Sequence, residues 1–398
     1  MKYNRKRTWI QILPNILFVG IIMLVLVAGF IRTVFLPKDI NYYENRYSNK
    51  VIVPTVNSLF NNSFQDSVEN ALADQVPGAQ RLKQLYNDTT SGFANFWVRP
   101  ILERNDTTYI YYHGMLIFGG YYVFASRDMD TTKPLLNAKA ENYNALMEKY
   151  PGVDFYAYYI EKDTDINFEN GNKLNADDYL FSLLHLDDSR MRSFEIEDFQ
   201  AFTKLFYKTD HHWKHTGSYA AYTDIVDFLE CSGEPLKHGK EVLVSGEFTG
   251  SKASLAGSNI ITEPFLAYEF DLPELKITIN GSPAEDYGAQ SAFLSGSTDA
   301  TISYGNFYGG DDGEIIFDTG ATDLDNILII GESYDNAILK LLATHFHKTY
   351  SIDLRNYQHY SGKKFDFGKY VAENDIDKVL FIGNVDFYIG NIFELENE

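Results

Sequence analysis

The densest group of ionisable side chains in this 398-residue sequence is the stretch Asp210-His211-His212-Trp213-Lys214-His215. It contains three of the nine histidines of the chain. Imidazole titrates and coordinates metals near neutral pH, so this density indicates a chemical role rather than core packing. An aspartate two positions before a histidine can orient the imidazole as a general base. The spacing therefore predicts that Asp210 orients His212 and that His212 is the base of a hydrolytic triad.

The nucleophile of such a triad is predicted at Ser333, within the stretch Gly331-Glu332-Ser333-Tyr334-Asp335. The preceding apolar residues 327–330 predict a buried strand, and the following residues predict a helix. A serine in the turn between them exposes its hydroxyl, and the free N–H groups of the helix's first turn face a developing oxyanion. A serine at that place is also a common helix cap, and the second glycine of a Gly-x-Ser-x-Gly elbow is absent. Together with the Asp-x-His pair, the pattern favours the catalytic interpretation.

Three further residues are candidates for substrate binding. Arg355 follows a predicted strand, where it can bind a sugar hydroxyl or a carboxylate, and a salt bridge to nearby acids explains it equally well. Trp213 and Tyr334 adjoin the predicted catalytic residues and are candidate walls of a substrate pocket, with core packing as the alternative for Trp213. His211 is expected to point away from His212.

A metal site is the alternative chemistry for the histidine-rich stretch. His211 and His215 are four positions apart and would share one helix face, with Asp210 or His212 as a further ligand. The glutamate of a His-Glu-x-x-His site is missing, and Thr216-Gly217 indicates a helix that starts only after His215, with Thr216 as its cap. The single cysteine, Cys231, excludes a Cys-rich metal site and a disulfide within the chain. We therefore predict neither a metal nor a cofactor, and we expect His215 to be structural.

Alternating strands and helices must bring these residues together. Strands are predicted at 153–160, 327–330, 349–354 and 379–382, and helices at 136–150, 337–346 and 365–374. This order predicts an α/β fold with a parallel sheet flanked by helices. Four polar clusters directly follow predicted strands, at the sheet edge where open α/β sheets carry their sites. Residues 110–124 predict a hairpin or two short strands, and 237–320 predict a β-rich insertion.

The N-terminal segment predicts a membrane anchor. Residues 16–31 are uninterruptedly apolar, and 9–36 are long enough to cross a bilayer. Four positive charges precede them, which favours a cytoplasmic N-terminus and an extracellular remainder. A cleaved signal peptide and a buried helix are the alternatives. The predicted organisation is a cytoplasmic tail (1–8), an anchor (9–36), a stalk (37–62), a first domain part (63–236), the insertion (237–320) and a second domain part (321–398).

The charge distribution argues against a nucleic-acid partner. The chain has a net charge of −21, yet residues 1–38 carry six basic residues and no acid. The remaining 360 residues therefore carry −27. Such a surface repels phosphate backbones.

The motifs resemble those of a known group. Asp210-His211-His212-Trp213 resembles the DHHW-type proteins of Gram-positive bacteria, whose domain is similar to that of alginate O-acetyltransferases of the AlgJ/AlgX type in the SGNH hydrolase-like superfamily. Those enzymes have an Asp-x-His-Trp motif before a Gly-Asp-Ser-Phe motif, and Gly331-Glu332-Ser333-Tyr334 matches the second with two conservative changes. Glu44-Asn45-Arg46 and the stretch 73–78 also resemble the lead-in of the family.

The resemblance implies an SGNH hydrolase-like fold with Asp210, His212 and Ser333 as its triad. It implies acetyl transfer to an extracellular or exported polysaccharide, with a membrane-bound O-acyltransferase as the partner that supplies the acetyl groups. A carbohydrate esterase of the same fold and a non-catalytic, glycan-binding scaffold are the alternatives.

Overall fold

The computed structural model describes residues 9–38, 40–41, 46–76, 78, 81–82, 85–86, 89, 92–93, 96–102, 108–298 and 300–390. The predicted cytoplasmic tail and the Glu44-Asn45 pair lie outside these residues. The chain divides into two units, Met1–Val98 with Gly257–Ile260, and Arg99–Ala256 with Ile261–Glu398.

The first unit contains the predicted anchor as one long helix. Its elements are α1 (Trp9–Phe35), β1 (Ile40–Asn41), β2 (Arg46–Tyr47), α2 (Val56–Phe60) and α3 (Ser63–Gln75). Within α1, the 24-residue span Ile12–Phe35 contains an 18-residue stretch with a mean hydropathy of 2.6. This helix is long and apolar enough to cross a membrane, as the sequence predicts.

Helix α3 ends where the first unit returns to α1. Gln75 forms two hydrogen bonds with the backbone of Lys38, just beyond α1, at 2.7 and 3.0 Å. Val76 leaves the helical conformation with ψ near 124°, as a residue before proline favours. Gly78 then takes a φ of +83°. The helical conformation of α3 therefore ends at Val76.

The second unit is built on an eight-stranded sheet in the order β13-β12-β14-β16-β15-β17-β6-β9. The strands of this unit are β3 (Ile110–Tyr112), β4 (Met115–Phe118), β5 (Tyr121–Val123), β6 (Asp154–Ile160), β7 (Ile166–Asn167), β8 (Asn172–Lys173), β9 (Met191–Phe194), β10 (Glu241–Phe248), β11 (Glu263–Tyr268), β12 (Lys276–Ile279), β13 (Ser282–Ala284), β14 (Glu314–Asp318), β15 (Asn326–Ile330), β16 (Lys348–Ile352) and β17 (Lys378–Gly383). The five strands from β16 to β9 are parallel, as the α/β pattern predicts.

Helices cover both faces of this sheet. They are α4 (Arg99–Leu102), α5 (Met129–Lys149), α6 (Ala176–Phe181), α7 (Phe199–Leu205), α8 (His215–Phe228), α9 (Ser251–Leu255), α10 (Gln290–Ser295), α11 (Tyr304–Tyr308), α12 (Leu339–Ala343), α13 (Leu354–Ser361), α14 (Phe367–Glu373) and α15 (Val385–Ile389), with 3₁₀ turns at Asp188–Arg190 and Asp335–Ala337.

Alternation along the central strands divides the core between the two faces. In β15, Ile327 and Ile329 join the cluster that includes Ala221 and Ile225 of α8. Leu328 and Ile330 join the opposite cluster, which includes Leu136 and other residues of α5. Successive side chains of a strand point to opposite faces, so a strand buried on both faces reads as a continuous apolar run.

The segment 237–320 contains five strands and three short helices. Its last three strands, β12 to β14, extend the main sheet by antiparallel pairing, with β14 bonded to β16. The first two, β10 and β11, pair with each other. The sheet is therefore mixed rather than purely parallel, and the boundaries of the predicted insertion remain a prediction.

Two local expectations differ from the structure. Residues 110–124 form three strands rather than two, because turns form both at Gly114 and at Gly119-Gly120. Thr216 is not the cap of α8: the helix begins at His215, and Ser218 N–H donates to Lys214 C=O at 2.9 Å. The Thr216 hydroxyl instead donates to the carbonyl of Lys204 at 2.6 Å.

Candidate active site

Ser333, His212 and Asp210 form a continuous hydrogen-bonded chain. His212 Nδ1 lies 2.6 Å from Asp210 Oδ1, and His212 Nε2 lies 2.8 Å from Ser333 Oγ. An ionised carboxylate can only accept, so the Nδ1 proton faces Asp210 and Nε2 is left to accept from the Ser333 hydroxyl. Asp210 and His212 are buried, whereas Ser333 is half-buried and therefore accessible to a small reactant. The arrangement suits proton removal from the serine hydroxyl.

Asp210 is fixed as the charged member of the chain. Its Oδ2 accepts the backbone N–H of Ser251 at 2.7 Å, and its Oδ1 also accepts the backbone N–H of His212 at 3.0 Å. Burial acts to raise the pKa of Asp210, but the interaction with His212 outweighs it and holds that pKa well below its usual range. Gly250 leaves room for this carboxylate, since a Cβ there would lie 2.4 Å from Asp210 Oδ2.

Ser333 lies in the turn that follows β15, before the 3₁₀ turn at Asp335–Ala337. The turn is closed by Asp335 N–H donating to the carbonyl of Glu332 at 2.9 Å. Within residues 108–298 and 300–390, the backbone N–H groups of Ser333 and Tyr334 have no hydrogen-bond acceptor. Two unpaired donors beside a nucleophile are the feature that stabilises an oxyanion.

The Glu332 side chain ties this turn to the ends of both neighbouring strands. Its Oε1 accepts from the Asn384 amide after β17 at 3.0 Å, and its Oε2 accepts from Arg355 beyond β16 at 3.3 Å. The Glu332 side chain therefore supports the loop from two sides.

The imidazole of His212 lies between two other rings. Tyr304 of α11 stacks on it with centroids 3.8 Å apart and planes within 1°. His211 lies against it with a centroid distance of 3.8 Å and a 37° tilt. His211 Nδ1 is turned toward the Ser251 hydroxyl, 2.5 Å away, and its carbonyl accepts from the Tyr334 hydroxyl at 2.5 Å. Packing on both faces leaves the His212 ring little freedom to rotate away from Ser333.

Ser251 begins α9, a helix that is held by a buried ion pair. The ammonium group of Lys252 lies 2.5 Å from Asp163 Oδ2, and both side chains are almost fully buried. Asp163 follows β6, in the polar cluster expected to lie at the site. This cluster supports the site rather than facing it, because it anchors the helix that holds Asp210.

The candidate substrate-binding residues are placed differently from one another. Trp213 is completely buried and packs edge-on against Phe194 and Tyr334. Tyr334 is 2% exposed. Neither ring presents a surface to solvent, which favours the core-packing alternative for Trp213. Substrate binding by Trp213 and Tyr334 stays a prediction.

Arg355 is partly exposed but already paired. Its guanidinium contacts Asp353 at 2.7 Å, Glu332 at 3.3 Å and Asp311 at 3.6 Å. The salt-bridge alternative therefore accounts for its position, and substrate binding by Arg355 stays a prediction.

Three carboxyl groups beside Ser333 have raised pKa values. Burial is the largest cause for Glu332, Asp335 and Asp353, and Arg355 opposes it.

Among the described residues, the side chains of Asp210, His211 and His212 are close enough together to hold a metal ion. His215 is not part of it, since its Nε2 lies 2.9 Å from Glu241 and its ring packs against Tyr268. A metal bound by His212 would have to displace either Asp210 or Ser333 from its nitrogens.

Sequence reasoning missed Ser251, Lys252 and Tyr304. All three belong to the segment interpreted as an insertion, and no motif marks them. Their contribution depends on a tertiary contact, so no local signal identifies them.

A family profile and a solved structure that resembles this protein both point to the same protein family. The profile of a family described as DHHW protein matches residues 90–352, more than half of the chain. The structure is similar to that of a DHHW family protein from Eubacterium siraeum, with a TM-score of 0.52, 17% identity, and coverage of 71% of this chain and 94% of that one. It is also similar to Bacillus cereus PatB1 with a sulfonyl adduct, at a TM-score of 0.51, 17% identity, and coverage of 71% and 100%.

The O-acetyltransferase domain of Pseudomonas putida AlgJ aligns with a TM-score of 0.36 and 11% identity over 69% of this chain and 89% of that one, which is too weak to support a conclusion. No curated protein matches the sequence. The solved neighbours and the observed sheet confirm the predicted α/β fold. With the family profile matched from before β3 to the end of β16, the chain belongs to the DHHW family.

Proposed function

We propose that this protein is a membrane-anchored serine O-acyltransferase that moves an acetyl group onto a hydroxyl of a cell-surface or exported polysaccharide. The observation that carries the proposal is the hydrogen-bonded chain from Ser333 through His212 to Asp210, at 2.8 and 2.6 Å. A serine hydroxyl is a weak nucleophile until a base removes its proton. Here His212 is the base, and Asp210 is the carboxylate that orients it.

In the first half-reaction, Ser333 Oγ attacks the carbonyl carbon of the acyl donor while His212 Nε2 takes the hydroxyl proton. The carbonyl oxygen becomes an oxyanion that accepts from the backbone N–H groups of Ser333 and Tyr334. The tetrahedral intermediate then collapses, the bond to the donor's leaving group breaks, and His212 returns the proton to that group. The product is an ester on Ser333.

In the second half-reaction, a sugar hydroxyl gives its proton to His212 and attacks the Ser333 ester. Collapse of the second intermediate releases the acylated sugar, and the proton returns to Ser333 Oγ. If water takes the place of the sugar hydroxyl, the same residues act as an esterase. The proposal therefore requires that a carbohydrate acceptor competes successfully with water.

The proposed setting is the outer face of the cell membrane. Helix α1 has the length and apolarity of a membrane span, and the basic residues before it favour a cytoplasmic N-terminus. An acetyl group made in the cytoplasm must cross the membrane to reach an outward-facing serine. A membrane-bound O-acyltransferase is the partner that we propose for this step.

Covalent labelling tests the proposal. The structure of Bacillus cereus PatB1, which has a similar fold, contains a sulfonyl adduct, so a sulfonyl fluoride is a suitable reagent beside a fluorophosphonate. We expect the full-length protein to be labelled in proportion to its concentration, and Ser333→Ala to lose the label. Ser297→Ala is the matched control, since Ser297 is exposed and remote in sequence from the triad. A wild type that stays unlabelled under conditions where it is folded would favour the scaffold alternative.

Transfer and hydrolysis are then separated by one competition. With an activated aryl acetate as donor, the transferase predicts that soluble polysaccharide oligomers increase the release of the aryl alcohol and become acetylated. Release without acetylated oligomer would identify an esterase.

A further inference from the structure

The first unit has six large apolar side chains after α3 that are exposed to solvent. Each of them is 60–70% exposed: Leu82, Leu85, Tyr86, Phe93, Phe96 and Trp97. Monomeric soluble proteins rarely expose apolar patches of this size unless they bind something.

Helical spacing places all six side chains on one side. At about 100° per residue, they fall within an arc of about 120°. Every described residue between 81 and 97 is helical, and the Thr89 hydroxyl donates to the carbonyl of Leu85, one turn earlier. The sequence places polar residues on the other side of the same spacing: Lys83, Gln84, Asn87, Asp88, Ser91 and Asn95. The segment therefore has the pattern of a surface-lying amphipathic helix.

The residues that precede this segment contact the membrane-crossing helix. A Cβ added to Gly29, inside the apolar span Ile12–Phe35, would lie 3.4 Å from Val76 Cγ2. Gln75 is bonded to Lys38, three residues beyond α1. Gly29 precedes the end of the span by six residues, or about 9 Å of helix. Leu82 follows Val76 by six positions, so the apolar stripe begins within about 20 Å of that contact.

A second exposed apolar group occurs around α2, in the same unit. It consists of Val53, Val56, Leu59 and Phe60, which are 57–87% exposed. Helix α2 packs against α3, the helix whose end contacts α1. Two separate stretches around the end of the span thus leave large apolar side chains uncovered.

The side-chain types of the stripe indicate what it contacts. Trp97 packs edge-on against Phe96 with ring centroids 4.9 Å apart, and Tyr86 is also in the stripe. Tryptophan and tyrosine are enriched at the head-group level of membranes, where an apolar ring can keep a polar edge in water. Because the stripe follows residues that contact α1 within its apolar span, the head-group level of the membrane is the nearest apolar environment.

We propose that the six exposed apolar side chains between Leu82 and Trp97 insert among the lipid head groups and upper acyl chains of the leaflet at the C-terminal end of α1. The inference goes beyond the proposed acyl transfer and rests on α1 crossing the bilayer. It gives the protein a second membrane contact in addition to its anchor.

Tryptophan fluorescence of the full-length chain in liposomes tests this placement. The chain has three tryptophans, Trp9, Trp97 and Trp213, and Trp213 is completely buried. Trp9→Phe leaves Trp97 as the reporter, and the double variant with Trp97→Phe measures the Trp213 background. We expect phosphatidylcholine brominated near the head group to remove most of the Trp97 emission, and lipid brominated near the chain end to remove less.

A matched control uses the opposite side of the same spacing. In the double-variant background, Ser91→Trp should be quenched by aqueous acrylamide and not by either brominated lipid. The proposal is overturned if Trp97 is quenched by acrylamide but by neither brominated lipid while α1 resists carbonate extraction. It is also overturned if bromine near the chain end quenches more strongly, or if the chain does not insert. Protection of Trp97 from all three quenchers would assign the stripe to a protein partner and contradict the lipid contact.

Discussion

At the scale of single residues, the site depends on how little freedom His212 has. Asp210 fixes its Nδ1, Ser333 occupies its Nε2, and Tyr304 and His211 pack on its two faces. A base held within hydrogen-bonding distance of its proton donor needs no rearrangement before reaction. Asp210 contributes orientation and charge without taking the proton, since its pKa is held far below neutrality.

Asp210→Asn tests that role. An asparagine amide can donate to His212 Nδ1, which favours the tautomer that carries its proton on Nε2 and prevents it from accepting from Ser333. We expect kcat for acyl transfer to fall by about a thousandfold or more, with donor KM little changed. The free energy of unfolding, measured in parallel by denaturant titration, should change far less than activity. A loss of less than about tenfold in kcat would contradict the assigned role.

At the scale of elements, the strand ends and α9 hold the site together through buried polar contacts. Asp163 after β6 pairs with Lys252 of α9, and Ser251 of α9 holds Asp210. The parallel sheet and the triad are therefore connected through α9, a helix that no sequence motif identifies.

Lys252→Met should expose the importance of that ion pair. Removal of one member leaves a buried, unpaired charge on Asp163, and we expect a loss of about 3–5 kcal/mol in the free energy of unfolding. The double variant with Asp163→Asn removes both charges and should recover a substantial part of that loss. Chemical denaturation of all three proteins measures the coupling. A single variant as stable as the wild type would show that the pair does not hold α9.

Asp165 lies in the same loop after β6, and we expect its carboxyl group to make the free energy of unfolding depend on pH. Its carboxylate accepts from the Tyr159 hydroxyl at 2.6 Å, and burial raises its pKa to about 7. The folded protein therefore keeps a proton that the unfolded chain releases near pH 4. This contribution to stability is complete below about pH 4, declines as the pH rises, and is gone above about pH 7.

The measurement is the difference in the free energy of unfolding between Asp165→Asn and the wild type. As the pH rises from about 4 to 7, we expect the stability of the variant relative to the wild type to increase by up to about 4 kcal/mol. Tyr159→Phe is the comparison for loss of the hydrogen bond with the carboxyl group retained. A difference that is constant over this range, or that moves in favour of the wild type, would contradict the raised pKa.

At the scale of the whole molecule, periodicity was enough to predict the parallel core strands and the anchor helix. Continuous apolar runs such as 327–330 are long, local signals, and a buried strand is their usual outcome. The Asp-x-His and Gly-x-Ser motifs were also local, so the contact between His212 and Ser333 followed once both were placed at strand ends. The burial of Trp213 and Tyr334 could not be decided from the sequence, because adjacency in sequence does not indicate which side of the backbone a ring packs on.

Other features were set by tertiary contacts that a sequence does not display. The antiparallel extension by β12 to β14 depends on pairing between β14 and β16, which are separated by the whole of β15 and α12. Ser251 and Tyr304 reach the site from the same segment. The early start of α8 follows from Thr216 bonding to Lys204 of α7 instead of capping its own helix.

In the proposed reaction, Ser333 carries the acyl group between donor and acceptor. The most direct test incubates the full-length protein with an activated aryl acetate, stops the reaction with acid, and locates the added acetyl group by peptide mass spectrometry. We predict an acetyl ester on Ser333 that is absent in Ser333→Ala and strongly reduced in His212→Ala. An acetyl group found only on lysines, or formed equally in the Ser333→Ala protein, would contradict the claim.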